Sequence, residues 1–218
     1  DPSLVRSAAD RLAAGPVHTL DLAREVLGLS GHAGAASAAV FQLLGTDPRF
    51  RVDGEGLWTL DPDVVPLGAP LDEVSFAVVD VETTGGPSWR GHRITDIAIV
   101  EVHAGRIVDE YMTLVNPGRA IPPMITALTG ITDAMAESAP YFEHVADEVE
   151  RRLRGRVFVA HNATFDWEFV GAELVRCNGD RPEVPRMCTV RMCRRLVPTL
   201  RRRNLDVVAR HFGVSIHA

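Results

Sequence analysis

Residues 76–85 read FAVVDVETTG. A run rich in β-branched residues followed by Asp80, Val81, Glu82 and two threonines has the character of a β-strand. Side chains on a strand alternate between its faces, so Asp80 and Glu82, two positions apart, project from the same face. Neighbouring carboxylates repel each other unless something of opposite charge binds between them. Whatever holds this pair on an otherwise apolar strand sets the chemistry of the chain.

Around the strand, the 218-residue chain is 46% apolar, enough for a real core in one medium domain with an appendage. The net charge of −6 is unevenly spread: residues 1–70 carry −4, residues 71–150 carry −10 and residues 151–218 carry +8. Every basic side chain apart from histidine is Arg. An acidic middle followed by an Arg-rich end suits metal ions together with a polyanion; the competing reading is two solvated faces that neutralise each other. No run approaches eighteen apolar residues, and DPSLVRSAAD lacks the basic-then-apolar layout of a secretory signal, so a cytoplasmic protein with no membrane association is expected. Cys177, Cys188 and Cys193 are odd in number and lack CxxC spacing, which argues against a disulfide framework or a zinc ribbon.

Upstream, residues 1–61 read as a small α+β module. SLVRSAADRLAAG has helical spacing and stops at Gly15, TLDLAREVLG follows with Thr19 as its expected cap, and GAASAAVFQLLG is a third helix. PRFRVDGEGLWTLD then reads as a hairpin turning at Asp53–Gly56. Three helices and a hairpin resemble a winged helix-turn-helix, whose third helix often reads DNA. Here Gly34 to Leu44 contains no Arg, and only Arg49 and Arg51 on the expected wing could meet phosphate, which favours docking of a protein partner over DNA reading. Residues 62–73, with Pro62, Pro66, Gly68 and Pro70, form the expected linker.

Residues 74–218 read as mixed α/β. The first strand is followed by HRITDIAIVEVH and RIVDEYMTLVNP, joined at Ala104-Gly105 as an antiparallel meander. MITALTG is a short helix stopped by Gly130, and PYFEHVADEVERRLRG places Phe142, Val145, Val149 and Leu153 on one helical face. In RVFVAH the four residues between Arg156 and His161 are wholly apolar, as a buried central strand should be, and NATFDWEFVGAELVRC returns to helical spacing. Asp166 therefore sits in the first turns of a helix, while Asp80 and Glu82 end a strand. Carboxylates of this kind suit Mg²⁺ or Mn²⁺, hard cations that prefer oxygen and keep waters for substrate. Two such ions about 3.5–4 Å apart can clamp a phosphodiester. Asp96 reads as a polar residue supporting the fold.

VDVETTG, then ALTGIT, then AHNATFD, in that order, resemble the motifs of the DnaQ-like, or DEDD, exonucleases, in the DEDDh branch. The resemblance spans roughly residues 74–216 and implies a ribonuclease H-like mixed sheet with flanking helices. It implies two-ion hydrolysis at nucleic-acid 3′ ends, with Asp80 bridging the ions, Glu82 on the ion that activates water and Asp166 on the second. It also implies that the backbone of Val81, Thr83 and Thr84 meets the terminal nucleotide and that Phe165 lies near the bound strand, with His161 and Asn162 ordering the loop that presents Asp166. The partner implied is a single-stranded or frayed 3′ end, DNA before RNA, in replication proofreading or repair.

The family's third motif supplies a histidine as general base, then an aspartate. NLDVVARHFGV matches the helix that precedes it, but His217 is followed at once by Ala218, and Asp206 and His211 belong to the preceding helix. The expectation is that both residues fall past Ala218 and that these 218 residues alone hydrolyse weakly or not at all. Trimming of RNA is one alternative; a non-catalytic adaptor that holds a nucleic-acid end is another. Arg191, Arg194, Arg195 and Arg201–Arg203 are candidates for contacts to phosphate.

Overall fold

The computed structural model describes residues 2–61, 63–65 and 70–215, so Pro62 and residues 66–69 of the expected linker, and His217, lie outside it. Contacts group the chain into two units, Asp1–Ala69 and Pro70–Ala218. No described helix is long and apolar enough to cross a membrane.

In the first unit, α1 (Pro2–Ala13), α2 (Thr19–Leu27) and α3 (Ala33–Leu44) surround a small antiparallel sheet of β1 (Val17–His18), β2 (Phe50–Val52) and β3 (Leu57–Leu60), ordered β1-β3-β2. Trp58 on β3 is 1% exposed among Leu12, Leu22, Val40 and Leu44. The expected cap of α2 is displaced by one residue. His18 accepts the Leu20 N–H, whereas Thr19 is buried, donating its hydroxyl to the Gly56 carbonyl at 2.8 Å and accepting from Trp58 Nε1 at 3.0 Å. An indole N–H enclosed in a core needs an acceptor, and that need outweighs the capping preference of threonine.

In the second unit, β4 (Ser75–Thr83), β5 (Ile94–His103) and β6 (Arg106–Leu114) form the expected antiparallel meander. After α4 (Pro123–Thr129), α5 (Asp133–Glu137) and α6 (Phe142–Leu153), β7 (Val157–Ala160) enters parallel to β4. The chain continues through α7 (Ala163–Asn178), β8 (Arg186–Cys188), α8 (Thr189–Leu196) and α9 (Leu205–His211), and the five-stranded order is β6-β5-β4-β7-β8. All four residues of β7 are buried, as its composition predicts. Strand β8, three residues long, is too short to show a period in the sequence. On β4, Ala77, Val79, Val81 and Thr83 are buried, while Val78, Asp80 and Glu82 alternate with them on the other face. The buried face packs with Ile97 and Ile99 of β5 against Phe142 and Val149 of α6 and Phe169 and Val170 of α7. Helices that bury one stripe against one sheet face make a two-layer core.

Arg152 ties α6 to the sheet. Its Nη1 donates to Glu101 of β5 at 2.8 Å and to Asp109 of β6 at 3.0 Å, and its Nε donates to Glu148 at 2.7 Å. Glu101 is 5% exposed and also pairs with Arg156 at 2.5 Å. Removing one partner of a buried pair strands the other charge. Arg152→Met should therefore lower stability by about 3 kcal/mol, read as a fall in the urea midpoint, while Arg151→Met, which breaks only an exposed pair with Glu148, should barely move it. Equal midpoints for the two variants would show that the buried pair is not what holds α6.

Candidate active site

The site lies where β4 ends. The parallel ladder between β4 and β7 covers only Phe76–Val78 of β4, so the strand runs on past its neighbour. Helix α7 starts just after β7, at Asn162, whose φ of 77° turns the chain from strand into helix. A left-handed asparagine is tolerated where few other side chains are, because its short polar group strains little there. This turn delivers Asp166 in the first turn of α7, 3% exposed, within the influence of two backbone N–H groups, its own and that of Val81.

Burial comes first among the causes that push the Asp166 carboxyl up to about 7, followed by the charge of Asp80 and, more weakly, Glu82; the two backbone N–H groups pull the other way. Glu82 is raised by burial, then by Asp80 and Asp96. Asp96 is raised by burial and by Asp80. The register places Asp96 directly across from Glu82, and directly opposed residues share a face. The residue read from sequence as a support of the fold is thus a fourth member of the acidic group. Next to it the ladder skips Thr95, a bulge of the kind that re-aims strand side chains, and the buried Thr95 hydroxyl has no partner.

The threonines after Glu82 are internal. Thr83 accepts the Gly85 N–H, and Thr84, fully buried, accepts the Arg93 N–H. His92 Nδ1 lies 2.9 Å from both the Thr84 hydroxyl and its carbonyl. Since the side chains of Val81, Thr83 and Thr84 are buried, only the backbone here can meet a ligand. Gly85 and Gly86 pass so close to Ile125 and His92 that an added Cβ would stand 2.4 and 2.2 Å away. His161 bonds Thr189 at 2.9 Å, joining the start of α7 to that of α8. Phe165 is 41% exposed, its ring 5.0 Å from that of Phe169. Asp206 and His211 lie on α9. In the Arg-rich segment, Cys193 anchors α8 while Arg191, Arg194, Arg195, Arg201 and Arg202 are exposed; Arg203 is half-buried, and its Nε has no partner.

Among the described residues, no three His, Cys, Asp or Glu side chains are already gathered as ligands of one ion. The chemistry of the donor set nevertheless fits a hard divalent cation. It is all carboxylate, the charge of Asp80 raises the pKa of Glu82, Asp96 and Asp166, and a cation between them would relieve that repulsion.

A mixed five-stranded sheet with flanking helices and acidic residues at the end of its central strand defines a ribonuclease H-like nuclease domain. A sequence profile described as Exonuclease matches residues 77–218, and the chain belongs to that family. It is 36% identical over 149 residues to the DNA polymerase III subunit epsilon of Treponema pallidum, covering 67% of this chain and 69% of that protein. It is 39% identical over 128 residues to the 3′-5′ exonuclease DinG of Bacillus subtilis, covering 59% of this chain but 14% of that protein. Several other relatives are also longer, and the chain spans 24% of one from Mycobacterium tuberculosis. Among solved structures, Exonuclease X in complex with 5′ overhanging duplex DNA aligns with a TM-score of 0.51 at 29% identity, over 65% of this chain and 75% of that one.

The raised Asp166 pKa has a consequence for stability. With its carboxyl at about 7 rather than 3.8, the stability it contributes is fully present below pH 4 and is lost as pH rises through 7, when the buried group must ionise beside Asp80. In metal-free buffer, Asp166→Asn should melt several degrees above the parent at about pH 8, and the gap should shrink towards about pH 5. Thermal scans at the two pH values check this; a gap of equal size at both would remove ionisation as its cause.

Proposed function

We propose that the chain is the catalytic part of a metal-dependent 3′-5′ exonuclease that removes nucleotides from single-stranded or frayed 3′ ends, DNA before RNA, in replication proofreading or repair. The observation that carries this reading is the acidic group at the end of β4, in which burial and mutual repulsion raise Glu82, Asp96 and Asp166 together. The names of the relatives support the polarity, and the DNA bound to Exonuclease X supports the substrate class. Asp80, Glu82 and Asp166 would hold two Mg²⁺ or Mn²⁺ ions, which when bound supply Lewis-acid stabilisation of the phosphoryl oxygens and a more acidic water.

The remaining roles belong to the chain itself. The packing of Ala163, Phe169 and Val170 of α7 against Val79 and Val81 of β4 holds Asp166 in place. The bonds from His92 and Arg93 to Thr84 lock the turn after Glu82, where the backbone would face the terminal nucleotide. Phe165 offers an exposed ring to a base, a contact that every base can make. His161 steadies the start of α7 through Thr189. Residues 1–61 are proposed as a winged-helix-like module followed by a linker over 62–73. With no Arg on α3, its proposed partner is a protein and not DNA. A cytoplasmic location belongs to the same proposal.

An oligonucleotide labelled at its 5′ end, incubated with Mn²⁺, should give a slowly growing ladder shortened from the 3′ end. Asp80→Ala or Asp166→Asn should cut the rate on the order of 10²–10³-fold and weaken Mn²⁺ binding measured by calorimetry. Release of the 5′ label first, or hydrolysis that survives Asp80→Ala, would overturn the assignment. Tight binding of the strand, with neither shortening nor carboxylate-dependent Mn²⁺ binding, would favour the adaptor alternative.

A further inference from the structure

A second concentration of charge, opposite in sign, lies close to the carboxylates. Arg93, Arg119 and Arg176 line a shallow, open depression of about 400 Å³ whose other walls include Gly91, Pro117 and Gly118. Glu173 of α7, its side chain 2% exposed, accepts Arg93 Nε at 2.6 Å and Nη2 at 2.8 Å, and Arg176 Nη1 at 3.0 Å. Arg119 Nη1 donates to the Gly91 carbonyl at 2.6 Å, and among the described residues it makes no ion pair. Glu143 of α6, largely exposed, also acts on Arg93. Three cations thus meet two carboxylates. A guanidinium has five N–H donors, so most of those on Arg119 and Arg176 remain available to a ligand.

The position of the depression matters as much as its charge. The Arg93 carbonyl accepts the Thr84 N–H at 3.0 Å, and Thr84 is two residues past Glu82, about 7 Å along a strand. Glu173 follows Asp166 by two helical turns, about 10 Å along the axis and on the same side of α7. The depression and the acidic group are therefore fixed to the same helix and the same strand end. Trp89, 76% exposed, and the exposed Arg90 immediately precede Gly91. Guanidinium groups favour phosphate oxygens, and the exposed Trp89 ring, two residues before Gly91, suits a base attached to that phosphate better than a free anion.

We propose that Arg93, Arg119 and Arg176 form a second nucleic-acid contact, which grips a backbone phosphate away from the scissile bond while Trp89 stacks on a neighbouring base. The site rests on the exonuclease reading for its substrate, but its binding is separable from hydrolysis. Arg93 orients the buried Glu173; Arg119 and Arg176 provide most of the grip.

The test is fluorescence anisotropy of the whole chain with a labelled single-stranded oligonucleotide in EDTA, titrated at several salt concentrations. Arg119→Gln/Arg176→Gln should weaken binding about tenfold and reduce the slope of log K against log salt by about one. Arg106→Gln/Arg151→Gln removes the same charge from β6 and α6 and should leave the slope alone. Arg119→Gln by itself breaks only the bond to Gly91 and should show part of the loss with an unchanged melting temperature, which separates a lost contact from a damaged fold. The proposal is overturned if the two double variants behave alike. It is equally overturned if calorimetry shows that pyrophosphate binding is lost in Arg119→Gln/Arg176→Gln while oligonucleotide binding is not. An oligonucleotide gripped through these arginines by a chain that neither hydrolyses it nor binds Mn²⁺ through Asp80 and Asp166 would instead count against the exonuclease reading alone.

Discussion

Mutual repulsion among carboxyl groups is the constraint on which the second unit is built. Asp80, Glu82, Asp96 and Asp166 come from two strands and a helix, and each is held by something that does not itself neutralise charge. The ladder with β5 fixes Asp80 and Glu82, the same register fixes Asp96, and the packing of α7 on the sheet fixes Asp166. A chain selected for stability alone would place apolar or paired groups here, since burying an uncompensated carboxyl costs free energy. Retaining the cluster makes sense where an external cation is part of the working state.

The surrounding packing resists that repulsion from a distance. Helix α7 carries Asp166 at one end and Glu173 two turns on, and Glu173 binds Arg93 just before β5. Helix α6 is tied to β5 and β6 through Arg152. Both helices are thus bonded by side chains to strands that carry or flank the acidic residues, in addition to the apolar contact of Phe142, Val149 and Phe169 with the sheet. Directional ion pairs fix position along the sheet where apolar contact alone would allow sliding.

How much of this was legible in the sequence depended on whether the determining interactions were local. Asp80, Glu82 and Asp166 could be read because a period of two on a strand and a helix start after a buried strand are both encoded nearby. The pairing of Asp96 with Glu82 could not, because the bulge at Thr95 shifts the register and nothing in RITDIAIV announces it. Thr19 looked like a cap because capping is a local preference; the demand of Trp58, 39 residues away, prevailed. His92 was passed over for the same reason, since its partner is Thr84, across a loop. Strand β8 is defined only by β7 beside it.

The outer strand β6 bears on how the sheet ends. Ile107, Val108 and Met112 are 61%, 60% and 69% exposed, and one side of the strand's backbone has no partner strand among the described residues. An apolar rim of this kind invites a further strand. Between those residues stand Asp109 and Glu110, with Arg106 at the strand's start, and Asp109 is already engaged by Arg152. A strand added from another molecule would have to desolvate two carboxylates and disturb the tether of α6. The same ion pair that locates a helix therefore also discourages growth of the sheet into fibres, so the rim can stay apolar without becoming adhesive.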